Sequence, residues 1–267
     1  MISYRATLDV PAATVAQVSR WLAAYRRVHD RRPWQRAATP YVQAVLVLRW
    51  FKDATGLPAL ARDAGIGIAT AYRYLHEAID VIAAQAADLP DVLARGVAEG
   101  WEFVCLDGTL IPCVRSATPS RSGQDVWYSG KHHRHGGNSQ VLAGPDGYPE
   151  WTSEVEPGST HDLTAARAHA LPALYPAAAA GLPTLADKGY TGAGIGIHVP
   201  TKGGDKLDVD TRTRNKLING LRARAESANA LLKRSWKALE RVTLDPWRIG
   251  AITRAALVLL HLQRPVR

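Results

Sequence analysis

The sequence predicts an α/β domain behind a helical region. Three observations carry this. Up to about residue 100, apolar residues recur at helical spacing. From residue 101, short apolar runs broken by Gly, Pro and Asp read as strands. From Thr211 the pattern returns to helix. Strands first and helices after, around one mixed sheet, place the α/β domain over residues 101–267 and the helical region over 1–100.

In the helical region, Pro11 opens a stretch with Val15, Val18, Leu22 and Tyr25 on one face. Residues 31–40, RRPWQRAATP, read as a loop, and YVQAVLVLRWFKDA (41–54) as a buried helix, apolar nearly all round. A short helix from Pro58 to about Ala64, the turn Gly65-Ile66-Gly67 and a second helix follow. Ala71, Leu75, Ala78 and Ile82 form the second helix's apolar face; Thr70, Arg73, Tyr74 and Glu77 form its polar face. Within about 41–85 this is a helix-turn-helix pattern, whose second helix enters a DNA major groove. A plain helical hairpin is the other reading.

In the α/β region, WEFVCLDG (101–108) reads as a strand ending at Asp107, and TLIPCVR (109–115) as another. SQVLAG (139–144) and YPEWTSEVE (148–156) form a hairpin about the turn Pro145-Asp146-Gly147. A helix starts at STHDLTAARAHALPAL, with Ser159 and Asp162 at capping-box spacing. LPTLADKGY (182–190) is a short strand ending at Asp187, GIHVP (196–200) a last strand, and 211–239 a long helix. Pro246 opens another helix.

Charge narrows the function classes. Lys and Arg total 33 against 24 Asp and Glu, a net +9, which favours a polyanionic partner. Residues 136–187 hold one basic residue, Arg167, and six acids, whereas 188–241 hold twelve basic residues and five acids. An acidic segment beside a basic one suits a metal site next to a phosphate track. The two cysteines imply no disulfide framework and fit a reducing cytoplasm. The N-terminal MISYRATLDVP has no apolar signal core, and no run is long enough to span a membrane.

Three carboxylates stand out by placement. Asp107 and Asp187 end strands, where open sheets assemble sites. Glu226 lies on the long helix beside its apolar stripe of Ile218, Leu221, Ala225, Ala228 and Leu232, in line with Arg222, Asn229 and Lys233. Phosphodiester cleavage uses such a set, because hard divalent cations take oxygen ligands and two ions can clamp an in-line displacement. Each acid also has an ordinary reading: turn residues for Asp107 and Asp187, a solvated helix charge for Glu226.

CLDGT (105–109), YSGKHHRHG (128–136), PGSTHDLT (157–164), ADKGY (186–190) and RARAESANALLKR (222–234) together resemble the DDE transposases of bacterial insertion sequences. The branch is that of insertion sequence five and its Harbinger-like relatives, and the resemblance runs from about residue 41 to about 262. It implies a ribonuclease-H-like catalytic core with Asp107, Asp187 and Glu226 holding two Mg²⁺ ions, with Mn²⁺ able to substitute. Relatives often carry Arg after the third acid, where this chain has Ser227. Asp162 is the rival for the middle acid.

The resemblance implies double-stranded DNA, both element ends and target, as partner, and a homodimer or larger synaptic complex. The expected DNA contacts are Thr70, Arg73, Tyr74, Lys131, His132, Arg134, Lys188, Arg222 and Lys233. His132, His133 and His135 lack the further ligands of a zinc site. Cys105 and Cys113 read as buried thiols in adjacent strands, and Trp127 is a candidate to stack on a base. The implied activity is binding of inverted-repeat ends, two-metal hydrolysis and joining of 3′-hydroxyl ends to target DNA. A non-catalytic helix-turn-helix protein and a metal nuclease without strand transfer are the alternatives.

Overall fold

The computed structural model describes residues 7–29, 32–116, 118–119, 123, 125–203 and 206–264. Arg31, at the start of the expected loop, and the side chain of Ala225 lie outside the described residues.

Five helices open the chain: α1 (Ala12–Val28), α2 (Pro40–Asp53), α3 (Leu57–Asp63), α4 (Ile68–Ala83) and α5 (Leu89–Ala98). Their starts follow local chemistry. Pro40 occupies the first turn of α2, and the Thr39 hydroxyl accepts from the Val42 amide. Pro58 and Pro90 do the same at α3 and α5. A short 3₁₀ turn, Pro33–Gln35, sits inside the expected loop.

The sheet has six strands: β1 (Val104–Pro112), β2 (Tyr128–Ser129), β3 (Arg134–Ala143), β4 (Pro149–Pro157), β5 (Thr184–Leu185) and β6 (Ile197–His198). β1 is central. It pairs antiparallel with β3 and parallel with β5, which pairs parallel with β6; β2 and β4 pair with the far side of β3. The two strands expected at 101–108 and 109–115 are therefore one. Gly108 does not break β1, because β3 supplies an unbroken partner from Cys105↔Ala143 to Pro112↔Gly136. Cys105 and Cys113 consequently lie along one chain direction rather than in adjacent strands, and both are buried thiols.

Helices cover both faces. On one, Val104 and Leu106 pack with Leu142 against α5, α6 (Asp162–His169) and α7 (Leu171–Ala179). On the other, Phe103, Cys105, Ala143 and Leu185 meet Ala228 of α8 (Val209–Ser235). Ile111, Val141 and Val155 join a third cluster with α9 (Ile249–His261) and helices α1 to α4. Fully buried Trp236, just past α8, packs edge-to-face on Phe51 of α2. The helical region and the sheet thus share one apolar core. This mixed sheet flanked by helices fits a ribonuclease-H-like core. Among the described residues no helix is long and apolar enough to cross a membrane.

Two local expectations differ. Ser159 does not cap α6; His161 is the residue before it, without a side-chain cap, and Asp162 is its first residue, its carboxylate engaged elsewhere. Trp127 is buried and packs edge-to-face on Trp247, ring centroids 4.8 Å apart, so its ring is spent on the core.

Candidate active site

Side chains alternate along β1, so Asp107 leaves the same face as Cys105, the face covered by α8. The parallel pairing of Cys105 with Leu185 fixes where β5 delivers Asp187. Each aspartate stands two residues beyond that pair, and the charge of Asp187 reaches Asp107. Asp107 lies within β1 rather than at its end, because β5 stops at Leu185 while β3 continues. Asp187 caps a 3₁₀ turn, Lys188–Tyr190, and its Oδ1 accepts from the Gly189 amide at 2.8 Å.

Asp107 is crowded. Burial pushes its carboxyl up from 3.8 to about 6, Asp187 and Asp162 add to the rise, and Arg222 and Lys131 oppose it. From α8, Asn229 Nδ2 donates to Asp107 Oδ2 at 2.9 Å. Asn229 Oδ1 is buried without a partner. Burial holds the Lys233 ammonium below its ordinary range, with Asp107 opposing and Arg134 reinforcing.

The Tyr128–Gly136 segment is a hairpin. Ser129 pairs with Arg134, and His133 takes a left-handed conformation (φ 50°) in the four-residue loop between them. Lys131 and His132 occupy the loop. Lys131 Nζ donates to Asp162 Oδ2 at 2.9 Å. That bond chiefly raises the ammonium above the ordinary lysine range; burial opposes it, and the charges of Asp162, Asp187 and Asp107 support it. His132 is lowered by burial and by the cations Lys131, Lys233 and Arg134, with Asp162 opposing. Lys131, Arg134 and Lys233 therefore form one cationic margin beside the acids, and His132 stands among them with its charged form disfavoured. Exposed Lys188 lies next to Asp187.

Glu226 is the exception among the expected acids. It is exposed, has no hydrogen bond or ion pair among the described residues, and is not among the charges that reach Asp107. Its neighbours a turn away on α8, Arg222 and Asn229, do reach Asp107. Among the described residues no group of three or more His, Cys, Asp or Glu side chains is gathered tightly enough to hold a metal ion. The donor chemistry nevertheless suits a hard divalent cation. Asp107 and Asp187 offer carboxylate oxygens, the crowding at Asp107 is what a cation relieves, and Asn229 Oδ1 is an orphaned acceptor beside it.

Three groups escaped the sequence reading. Asn229 was placed in line with Glu226 but given no role. Asn138 and Gln140, polar residues on the inward face of β3, hydrogen-bond to one another and to Asp162 and Tyr190. Three consecutive polar residues, Asn138-Ser139-Gln140, leading into the apolar run 141–143 are the signal that marks them.

The N-terminal candidates divide. On α4, Arg73 is exposed and donates to the Thr70 hydroxyl. Tyr74, expected beside them, is only 4% exposed. Its ring lies between Arg36 and Arg26, at 4.5 and 5.6 Å from the centroid, and its peptide carbonyl accepts from Gln43. Glu77 pairs with Arg36. The residues open to solvent at the front of α4 are Ile68 (51%), Ala69, Tyr72 (45%) and Arg73.

A family model described as DDE superfamily endonuclease matches residues 106–261, more than half of the chain. Comparison with curated proteins finds no match, and neither does comparison with solved structures.

Proposed function

Because the chain belongs to the DDE superfamily endonucleases, an activity of the nuclease or transposase type on DNA is its premise, and we propose that it is an insertion-sequence transposase. In this reading it binds the inverted-repeat ends, cleaves them by two-metal hydrolysis and joins the 3′-hydroxyl ends to target DNA. The branch it fits is that of insertion sequence five and Harbinger-like elements. The observation that carries the reading is that Asp107 and Asp187 follow the paired Cys105 and Leu185 at the same offset inside the matched segment, with the charges of Asp187, Arg222 and Lys131 reaching Asp107.

Asp107, Asp187 and Glu226 would hold the divalent cations, Mg²⁺ or Mn²⁺. Glu226 joins by side-chain rotation, since Arg222 and Asn229 on either side of it already face Asp107. When bound, such ions lower the pKa of water and offset charge on the transferring phosphoryl group. The chain's own residues do the rest. Asn229 orients Asp107. Arg222, Lys131 and Lys233 place positive charge where phosphate oxygens must pass. Arg134 and Lys188 extend that margin, and His132 adds a ring nitrogen able to meet a phosphate or sugar oxygen.

Helices α3 and α4 are proposed to read the element ends. They make a helix, a turn with Gly65 at φ 64°, and a second helix whose front is exposed. Thr70 and Arg73 are the proposed contacts, with Tyr72 in place of Tyr74. Two ends must meet for joining, so the working assembly is a homodimer or larger. Cytoplasmic residence goes with a DNA substrate.

The test is cleavage of a labelled duplex carrying the element's end, with Mg²⁺ or EDTA, by wild type and Asp187→Ala. Mg²⁺-dependent cutting at the boundary, absent in the variant, supports the reading. Tight end binding without cutting under any divalent metal would sink it. Cutting without transfer from a pre-cut end would leave a nuclease.

A further inference from the structure

Beneath the acid pair runs a continuous chain of side-chain hydrogen bonds. Tyr190 Oη donates to Gln140 Oε1 at 2.6 Å. Gln140 Nε2 donates to Asn138 Oδ1 at 3.1 Å. Asn138 Nδ2 donates to Asp162 Oδ1 at 2.8 Å and also to the Thr160 carbonyl. Lys131 Nζ donates to Asp162 Oδ2. Every link has one donor and one acceptor, and donation converges on the Asp162 carboxylate from both ends. Tyr190, Gln140 and Asn138 are buried, and buried networks of this kind fix geometry when fully satisfied.

Its two ends matter. Tyr190 sits on the turn that Asp187 caps. Lys131 sits on an exposed loop, its side chain 65% exposed. A lysine there has costly rotamer freedom unless something holds it. Gly108 provides the second observation. A Cβ at this strand position would collide with the Asp162 carboxylate. The bare backbone next to Asp107 is therefore what lets Asp162 lie against β1.

We propose that Asp162 is a positioning residue, holding the Lys131 ammonium beside the Asp107–Asp187 pair while Asn138, Gln140 and Tyr190 hold Asp162. The role rests on the transposase reading, in which that ammonium meets a phosphate oxygen. Both oxygens of Asp162 are engaged by protein donors, which sets it apart from the carboxylates proposed to bind metal. Gly108 belongs to the device, since its missing side chain is the space Asp162 fills.

The experiment uses the full chain as Asp162→Asn, Lys131→Ala, the double variant and Gly108→Ala, each first checked for a wild-type circular dichroism melt. With the element-end duplex, each single variant is expected to lower kcat about 10–100-fold with KM changed less than about threefold. The double variant should be no slower than Lys131→Ala, and Lys131→Arg should recover part of the loss. Mn²⁺ binding by calorimetry should be unchanged in Asp162→Asn. Independently of cutting, acetylation of Lys131 by limiting acetic anhydride, read by mass spectrometry against Lys202 and Lys237, should quicken several-fold in Asp162→Asn and Gly108→Ala. Loss of Mn²⁺ binding in Asp162→Asn would make Asp162 a ligand and overturn the proposal. Multiplying effects in the double variant, or unchanged Lys131 labelling, would also overturn it. A wild type that cuts nothing overturns the transposase reading instead, and the labelling still decides whether Asp162 holds Lys131.

Discussion

Asp107 and Asp187 stand at matching offsets, two residues beyond the paired Cys105 and Leu185 of neighbouring parallel strands. Neither aspartate belongs to the paired residues of β1 and β5, so substitution at either is expected to leave that pairing in place. Asp107→Ala and Asp187→Asn should each reduce Mg²⁺-dependent cutting at least about a thousandfold, roughly 4 kcal/mol of barrier. End binding in a gel-shift assay should stay within a few-fold of wild type.

The crowding at Asp107 predicts a pH signature in metal-free protein. With its carboxyl raised from 3.8 to about 6, the folded chain binds more protons than the unfolded chain between those values. Stability contributed by this group therefore falls as pH rises from about 4 to about 6 and is level above. Asp107→Asn should lack that fall and be more stable at pH 7 by up to about 3 kcal/mol. Urea melts at pH 4 and pH 7 check this, and added Mn²⁺ should stabilise wild type more than the variant.

Asn229 holds Asp107 with one end of its amide and leaves the other end unpaired. Asn229→Leu removes both the orienting donor and the spare oxygen. Calorimetric Mn²⁺ affinity should weaken about tenfold, the usual range for groups that orient a ligand. Unchanged affinity would show that Asn229 has no part in metal binding.

Helix α4 separates two tyrosines two positions apart. Arg73→Ala should weaken end-DNA binding by about 1–3 kcal/mol if it reads a base, or lower the salt slope by about one if it meets a phosphate. Tyr72→Ala should weaken binding with little change in melting temperature. Tyr74→Ala should instead destabilise by about 3–5 kcal/mol, as large buried aromatics do. Paired binding isotherms and thermal melts distinguish these outcomes.

Much of the frame was legible because local chemistry set it. Pro40 and Pro58 mark helix starts, the stripe Ala71, Leu75, Ala78 and Ile82 is buried, and Pro145-Asp146-Gly147 turns between β3 and β4. The acids could be named from their motifs. Their setting could not, because it depends on partners distant in sequence. Asp107 was expected at a strand end because nothing near residue 107 reveals that β3 pairs past it. Tyr74 was expected outside because the arginines that enclose it come from residues 26 and 36. Asp162 looked like a cap because its true partners, Lys131 and Asn138, are more than twenty positions away. Glu226 was expected to converge with the aspartates, yet it is exposed and absent from the charges that reach Asp107, because helical spacing fixes a residue's place on α8 and not where its side chain ends.

Trp236, seated on Phe51, joins the end of α8 to the helices that precede the sheet. The proposed reading helix and the end of α8 thus belong to one packed cluster. A protein built this way works as a calliper with its jaws set. Inserting one base pair between the recognised sequence and the element boundary moves the boundary about 3.4 Å along the duplex, and a rigid frame cannot follow it. The cut should keep its offset from the recognised bases and fall one base pair short of the boundary, rather than track it.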